Sequence, residues 1–196
     1  MRKIWFATGN EGKLQEMKPQ FEKKGLELKQ VDVDVPEIDA MDVEEVAKQK
    51  VLDSFEAALE NNLVQKDNMV IVEDTGFFVK SLGGFPGAEA AFFARTAGVP
   101  NLLPMMNGET DREAYFKTGI AVYMPDENRI ETFTGKMTGK IPESKRGDSH
   151  PHLPYNSYFI PDHGDGKSLA ENEELKNHEM HRRKAVVSFL DWFQDQ

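Results

Sequence analysis

A short apolar run, Ile4-Trp5-Phe6-Ala7, leads into Thr8-Gly9-Asn10-Glu11-Gly12-Lys13, and an amphipathic run carrying Leu14, Met17 and Phe21 follows. That succession reads as strand, tight turn, helix. A glycine-bearing turn that opens a helix offers backbone N–H groups and the positive end of the helix dipole, which suits an anion such as phosphate. Thr8 and Asn10 add polar side chains, and Lys13 adds a cation one turn into the helix. The same residues equally describe an ordinary strand-to-helix turn with Asn10 as N-cap. The spacing is neither that of a Walker loop nor that of a dinucleotide fingerprint, so spacing alone leaves both readings open.

Further elements follow from periodicity. Residues 3–8 form an apolar first strand, central in a sheet. Residues 11–24 form a helix ending at Gly25, with a kink expected at Pro19 because proline removes a backbone donor. Residues 26–35 alternate as a half-buried strand does, through Leu26, Leu28, Val31, Val33 and Val35. Residues 43–61 are the clearest amphipathic helix, with Val43, Val46, Ala47, Val51, Phe55 and Ala58 on one side. Residues 69–73 read as a short buried strand that delivers Glu73-Asp74 to its end. Residues 83–87 are a turn, and 100–106 a short helix. Residues 112–124 and 129–141 flank a Pro-Asp-Glu-Asn turn and form a long-armed hairpin. Residues 142–156 are loop, 158–160 a short strand, 162–167 a polar turn. A last helix runs from about residue 177 to 193, with Ala185, Val186, Phe189 and Trp192 or Phe193 inward. Early alternation of strands and helices followed by a hairpin implies an α/β fold with a mixed β-sheet and flanking helices.

Composition narrows the function. The 196 residues carry a formal net charge of −10 and no cysteine, which excludes disulfides and thiol chemistry. The acidic balance argues against nucleic acid as a partner, since that needs a basic face. No apolar run reaches the roughly 20 residues of a membrane span, and the N-terminus lacks the apolar core of a signal peptide. These features point to the cytoplasm and to no membrane partner. The length fits one domain over residues 1–196, or two closely packed lobes.

Candidate chemistry begins with carboxylates. Glu73-Asp74 sits at an expected strand end, where ligands gather in α/β proteins. Successive strand residues point to opposite faces, so only one of the pair faces a cleft directly. Glu37 follows an extended segment and could arrive from a neighbouring strand end. Two or three carboxylates suit Mg²⁺, which takes one or two of them with phosphate oxygens and waters. Solvation of a strand end explains the same residues without a metal. Lys50 on the 43–61 helix is equally a solvated side chain.

Taken as strings, these segments are more specific. Residues 8–13, Val72-Glu73-Asp74-Thr75-Gly76, Gly83-Gly84-Phe85-Pro86-Gly87, Phe133-Thr134-Gly135, Arg146-Gly147, Phe159-Ile160-Pro161, Ala170-Glu171, Lys176 and His181-Arg182 occur in one order along nearly the whole chain. In that order and spacing the chain resembles the Ham1 family, the inosine triphosphate pyrophosphatases that clear non-standard purine nucleotides. The resemblance implies an elongated mixed sheet, two lobes around a nucleotide-binding cleft, and a homodimer. It implies hydrolysis of a nucleoside triphosphate (ITP, dITP or XTP) to monophosphate and pyrophosphate, with Mg²⁺ as cofactor. Water would attack the α-phosphorus. Asp74, Glu73 and Lys13 would be catalytic, and Glu37 and Asp74 would hold the metal. Thr8, Gly9, Asn10, Lys13, Lys50, Thr75, Leu153, Tyr155, Asn156, Lys176, His181 and Arg182 would contact substrate. Arg182 suits a bidentate phosphate contact.

One block departs from the family. Where the family has Gly-Phe-Gly-Tyr/Trp-Asp-Pro, this chain has His152-Leu153-Pro154-Tyr155-Asn156-Ser157. The stacking aromatic survives as Tyr155, a second becomes Leu153, the family's Asp becomes Asn156, and the family's Ser before His-Arg is Met180. Changes in the base-reading part beside an intact phosphate part imply altered base specificity. An amide both accepts and donates, so Asn156 could pair with a 6-oxopurine or with adenine, whereas a carboxylate suits only the former. The alternatives are a nucleotide-binding or sensing module that kept the fold and lost turnover, and a housecleaning phosphatase or pyrophosphatase acting on another phosphorylated small molecule.

Overall fold

The computed structural model describes residues 2–148, 150–172 and 180–196. Strand β1, Arg2–Ala7, leads through residues 8–10 into helix α1, Glu11–Lys23. Helix α1 is continuous through Pro19 and is capped by Lys24; Gly25 follows at φ +73°, a left-handed conformation that costs glycine nothing. The chain returns as β2, Leu26–Val31, parallel to β1 in full register from Arg2↔Leu26 to Ala7↔Val31. Helix α2, Val43–Glu60, then precedes β3, Val70–Val79. After it come β4 (Pro86–Gly87), α3 (Ala90–Thr96) and α4 (Leu102–Met105). The long hairpin is β5 (Glu113–Met124) and β6 (Arg129–Lys140), and β7 (Ile160–Pro161) and α5 (Met180–Gln194) complete the chain. One mixed sheet runs in the order β2-β1-β3-β5-β6-β7, with β4 on the far part of β3.

Strand β3 joins two differently built halves. It pairs in parallel with β1 only through Trp5↔Val70 and Phe6↔Ile71, yet runs antiparallel to β5 without a break from Val70↔Tyr123 to Val79↔Ala114. In the first half, alternate residues face opposite layers. Ile4, Phe6 and Ile71 pack with Met17 and Phe21 of α1 and Phe189 of α5. Ala7, Val70 and Val72 pack with Ala47, Val51 and Phe55 of α2 on the other side. A separate cluster fills the far half, around Phe77, Phe116, Tyr155 and Phe159. Backbone crowding at the junction explains Gly76, where an added Cβ would lie 2.6 Å from the Gly87 carbonyl oxygen.

Three sequence expectations need correction. The strand expected over 26–35 stops at Val31, because its partner β1 ends at Ala7 and the chain then turns into α1. The strand expected over 69–73 runs to Val79, because β5 offers it a partner throughout. Glu73 and Asp74 are therefore mid-strand, and the strand end beside them belongs to β1. Residues 154–158 wind into a 3₁₀ turn, which moves the short strand expected at 158–160 to Ile160–Pro161. Helix α3 was not anticipated. The N-terminal boundary expected for the last helix, near residue 177, lies outside the described residues, as do Lys176 and His178.

Candidate active site

Asn10 is extended and caps α1: its Oδ1 accepts from the N–H of Gly12 at 2.9 Å and of Lys13 at 3.3 Å. The Asn10 N–H donates to Thr8 Oγ1 at 3.1 Å, and Gln30 Nε2 donates to the Thr8 carbonyl at 2.7 Å. The turn is thus an N-cap first, and its geometry is set before any ligand arrives. It also forms one wall of a cleft of about 600 Å³, which Thr8, Gly9, Asn10 and Lys13 line together with Asp32 to Val35, Glu37, Lys50 and Glu73. This cleft exists because β1 stops while β3 continues, leaving the Glu73 region without a strand on that side.

Glu73 is the hub. Its carboxylate is fully buried, with Lys13 Nζ 2.5 Å from Oε2 and Arg182 Nε donating to Oε1 at 3.0 Å. The Lys13 contact is a close ion pair rather than an aligned hydrogen bond. Thr75 Oγ1 also donates to Oε1. Burial by itself would raise this carboxyl, but Arg182 and Lys13 overcome it and hold it well below the usual carboxylate range. Arg182 is itself buried and spends Nη1 on Glu16 Oε2 at 2.5 Å. Lys13 and Glu16 stand one helical turn apart on α1, the spacing that puts two side chains on one face.

Asp74 has the opposite environment. It shares the parity of Val70 and Val72, the residues that face α2, and its Oδ2 is buried with no hydrogen-bond partner among the described residues. Burial and the neighbouring Glu73 charge push its pKa up to about 7, with Lys13 opposing. Glu37 and Lys50 both act on it electrostatically and pair with each other at the cleft. Among the described residues no group of three His, Asp or Glu is gathered as a metal cage. An orphaned carboxylate oxygen beside a second, more exposed carboxylate nevertheless fits a Mg²⁺ that draws its remaining ligands from phosphate and water.

Behind Glu73 a chain of polar groups runs into the far half. Thr75 Oγ1 is 2.6 Å from Thr118 Oγ1, which is 2.6 Å from His181 Nδ1. The His181 ring stacks on Phe116 at 5.1 Å, and burial lowers its pKa to about 4, so it is neutral. Tyr155 is buried beside Phe77 at 4.7 Å, and its hydroxyl donates to the Ala90 carbonyl at 2.7 Å. Asn156 is buried next to it, while Leu153 is half-buried. Backbone bonds hold this segment to 146–170: Arg146 N–H to the Ser157 carbonyl and Ala170 N–H to the Asn156 carbonyl.

Of the residues singled out from sequence, Thr8, Gly9, Asn10, Lys13, Glu37, Lys50 and Glu73 therefore share one cleft wall. Arg182 and Thr75 meet them through Glu73. Leu153, Tyr155 and Asn156 lie apart, in or beside the far core, and Lys176 is outside the described residues. Sequence reading missed Glu16 and Thr118. Glu16 was signalled by its one-turn spacing from Lys13. Thr118 was visible only once the register set it opposite Thr75.

Comparison with known proteins agrees over the full length. The model of the Ham1 family matches residues 4–192. The dITP/XTP pyrophosphatase of Methanopyrus kandleri is 35% identical over 194 residues, covering 98% of this chain and 97% of that protein. That of Thermococcus kodakarensis is 33% identical, covering 98% of each. The solved Ham1 protein of Staphylococcus aureus superposes with a TM-score of 0.78 at 26% identity, covering 99% of both chains.

Proposed function

The chain belongs to the Ham1 family, and from that premise we propose that it hydrolyses non-standard purine nucleoside triphosphates to the monophosphate and pyrophosphate. The observation that carries this reading is the cleft at the end of β1, which the mouth of α1, Lys13, Lys50, Glu37 and Glu73 line together, with Asp74 within electrostatic reach of all four charged side chains. It sets cations for phosphate oxygens beside a carboxylate poised for a proton. That relatives covering almost the whole chain are named dITP/XTP pyrophosphatases supports the substrate class.

The two carboxylates divide the work. Glu73, held ionised between Arg182 and Lys13, is a poor base and a good anchor. It orients Lys13 toward the cleft and fixes Arg182 against α1. Asp74, its pKa raised to about 7 in the metal-free protein, is matched to taking a proton from the attacking water at neutral pH, and where a metal is held there it would orient that water instead. Lys13 and Lys50 offset charge on the phosphates, so positioning and electrostatics carry the reaction rather than a covalent intermediate. Mg²⁺, where bound, would be held by Asp74 and Glu37 and would supply positive charge at the leaving pyrophosphate. Lys50 already pairs with Glu37, so holding a metal there would require the lysine to share that carboxylate. Contact of the base with Tyr155, Asn156 and His181, and a homodimer, belong to the same reading.

A turnover panel tests it. The protein with Mg²⁺ is given inosine, xanthosine, guanosine, adenosine and deoxyuridine triphosphates, and pyrophosphate and phosphate are detected separately. Pyrophosphate released preferentially from 6-oxopurine nucleotides is expected. Phosphate without pyrophosphate, or binding without turnover, would overturn the proposal. Light scattering on the same preparation checks the dimer.

A further inference from the structure

We infer that Thr118 and Thr75 are positioning residues that lock His181 as the tautomer with its proton on Nδ1, leaving Nε2 as a lone-pair acceptor. The inference rests on proton counting along one buried chain. Glu73 Oε1 receives the Arg182 Nε–H at 3.0 Å and the Thr75 hydroxyl, and Oε2 stands 2.5 Å from the Lys13 ammonium. With cations on both oxygens, the carboxylate is an acceptor only. The single Thr75 proton is therefore committed to Glu73. The 2.6 Å contact between Thr75 and Thr118 then needs a proton from Thr118, because otherwise two lone pairs would face each other. That commits the single Thr118 proton in turn. The remaining 2.6 Å contact, to His181 Nδ1, can be bridged only by a proton on the ring nitrogen.

The chain thus runs His181 Nδ1–H to Thr118, Thr118 to Thr75, and Thr75 to Glu73. Thr118 has no solvent exposure and His181 almost none, so water does not rescue a mismatched proton. Phe116 stacked on the ring fixes its plane. The neutral state of His181 agrees with its lowered pKa. The same anchor that organises Lys13 and Arg182 in the phosphate cleft therefore decides what His181 offers a ligand: an acceptor for an N–H or O–H group. That last step alone depends on His181 meeting the substrate, as in the proposed function.

The test is histidine-selective ¹⁵N NMR of the full chain at neutral pH, which reports directly which ring nitrogen carries the proton. The His181 signals are assigned through the Phe116 ring. The wild type is expected to show a single tautomer protonated at Nδ1; a ring protonated at Nε2 would overturn the inference. Thr118→Val, which keeps the shape and removes the hydroxyl, is expected to lose that single signature, and Thr118→Ser to restore it. An unchanged signature in Thr118→Val would also overturn it. Should Thr118→Val fail to fold, the wild-type measurement decides alone. Because the readout needs no turnover, an inactive protein would count against the proposed function and leave this result standing.

Discussion

The two halves of the sheet solve different problems with different means. In the first half, β1 ends early against a longer β3, and the corner left open gathers charge: Lys13, Lys50, Glu37 and Glu73 line the cleft, and Asp74 lies within their electrostatic reach. In the second half, β3, β5 and β6 continue together, and the corresponding space is filled with rings, from Phe77 and Phe116 to Tyr155 and Phe159. A polyanion needs fixed opposite charge, whereas a flat heterocycle needs an apolar face with few polar groups. Glu73 marks the boundary, since its carboxylate holds the cations on one side and the threonine-histidine chain on the other.

If Glu73 is that hub, its loss has the largest effect of any single change. Glu73→Gln takes the charge of one carboxylate partner away from the buried Arg182. Breaking one partner of a buried pair costs about 3–5 kcal/mol, and urea unfolding is expected to report a loss of that size. Turnover should fall by at least about 100-fold because Lys13 loses its orientation. A variant as stable as the wild type would show that Arg182 does not depend on the Glu73 charge, and would move the boundary between the halves.

Asp74→Asn sharpens the contrast within the pair. Turnover should fall by about 100- to 10,000-fold while the fold survives, because the amide replaces a carboxylate whose Oδ2 has no partner among the described residues. The pH dependence of stability is signed. Asp74's pKa is raised from 3.8 to about 7, so between those values the folded protein binds more protons than the unfolded chain. Its contribution is fully present below about pH 4 and is lost as pH rises through about 7, a swing of a few kcal/mol. With divalent cations chelated, denaturant titrations should show this loss in the wild type and not in Asp74→Asn. Parallel curves would place Asp74 in a wetter environment than its burial implies.

The contrast also explains what could be read from sequence. The 8–13 turn, α2 and the β5–β6 hairpin were legible because each is local: a cap, a 3.6-residue stripe, two alternating arms about a four-residue turn. The extent of β2 and β3 was not, because strand length is set by a partner far away in the chain. Val33 and Val35 continue the alternation, yet β1 has already turned away at Thr8. Lys13, Lys50 and the Glu73-Asp74 pair could be nominated from motif strings, but not the opposite fates of the two carboxylates. Those depend on Arg182 arriving from α5, 109 residues beyond Glu73. Nor could the string show Tyr155 with its hydroxyl bonded to Ala90, since α3 itself carried no clear periodic signal.

Asn156→Asp probes the far half directly. A carboxylate accepts only, so it favours the N1–H of a 6-oxopurine over the bare N1 of adenine. The ratio of inosine to adenosine triphosphate turnover should rise about tenfold, equivalent to about 1.4 kcal/mol of discrimination. The new charge enters a buried position, so some stability should be lost as well. An unchanged ratio would detach this side chain from base reading and leave the segment a structural strap.

The smallest expected effect is that of Tyr155→Phe. Burial raises the Tyr155 hydroxyl pKa, so the group stays protonated and acts only as a donor to the Ala90 carbonyl. The ring contacts with Phe77 and Phe116 survive the change. One buried hydrogen bond is worth about 1 kcal/mol, which in a protein of this size lowers Tm by about 2–4 °C. Pyrophosphate release should stay within about twofold of the wild type, because the hydroxyl ties the segment to α3 and lies outside the charged corner. A large fall in turnover with Tm unchanged would instead put this hydroxyl on the substrate. The proposed division into a charged corner for phosphate and an apolar one for the base would then have to be redrawn around Tyr155.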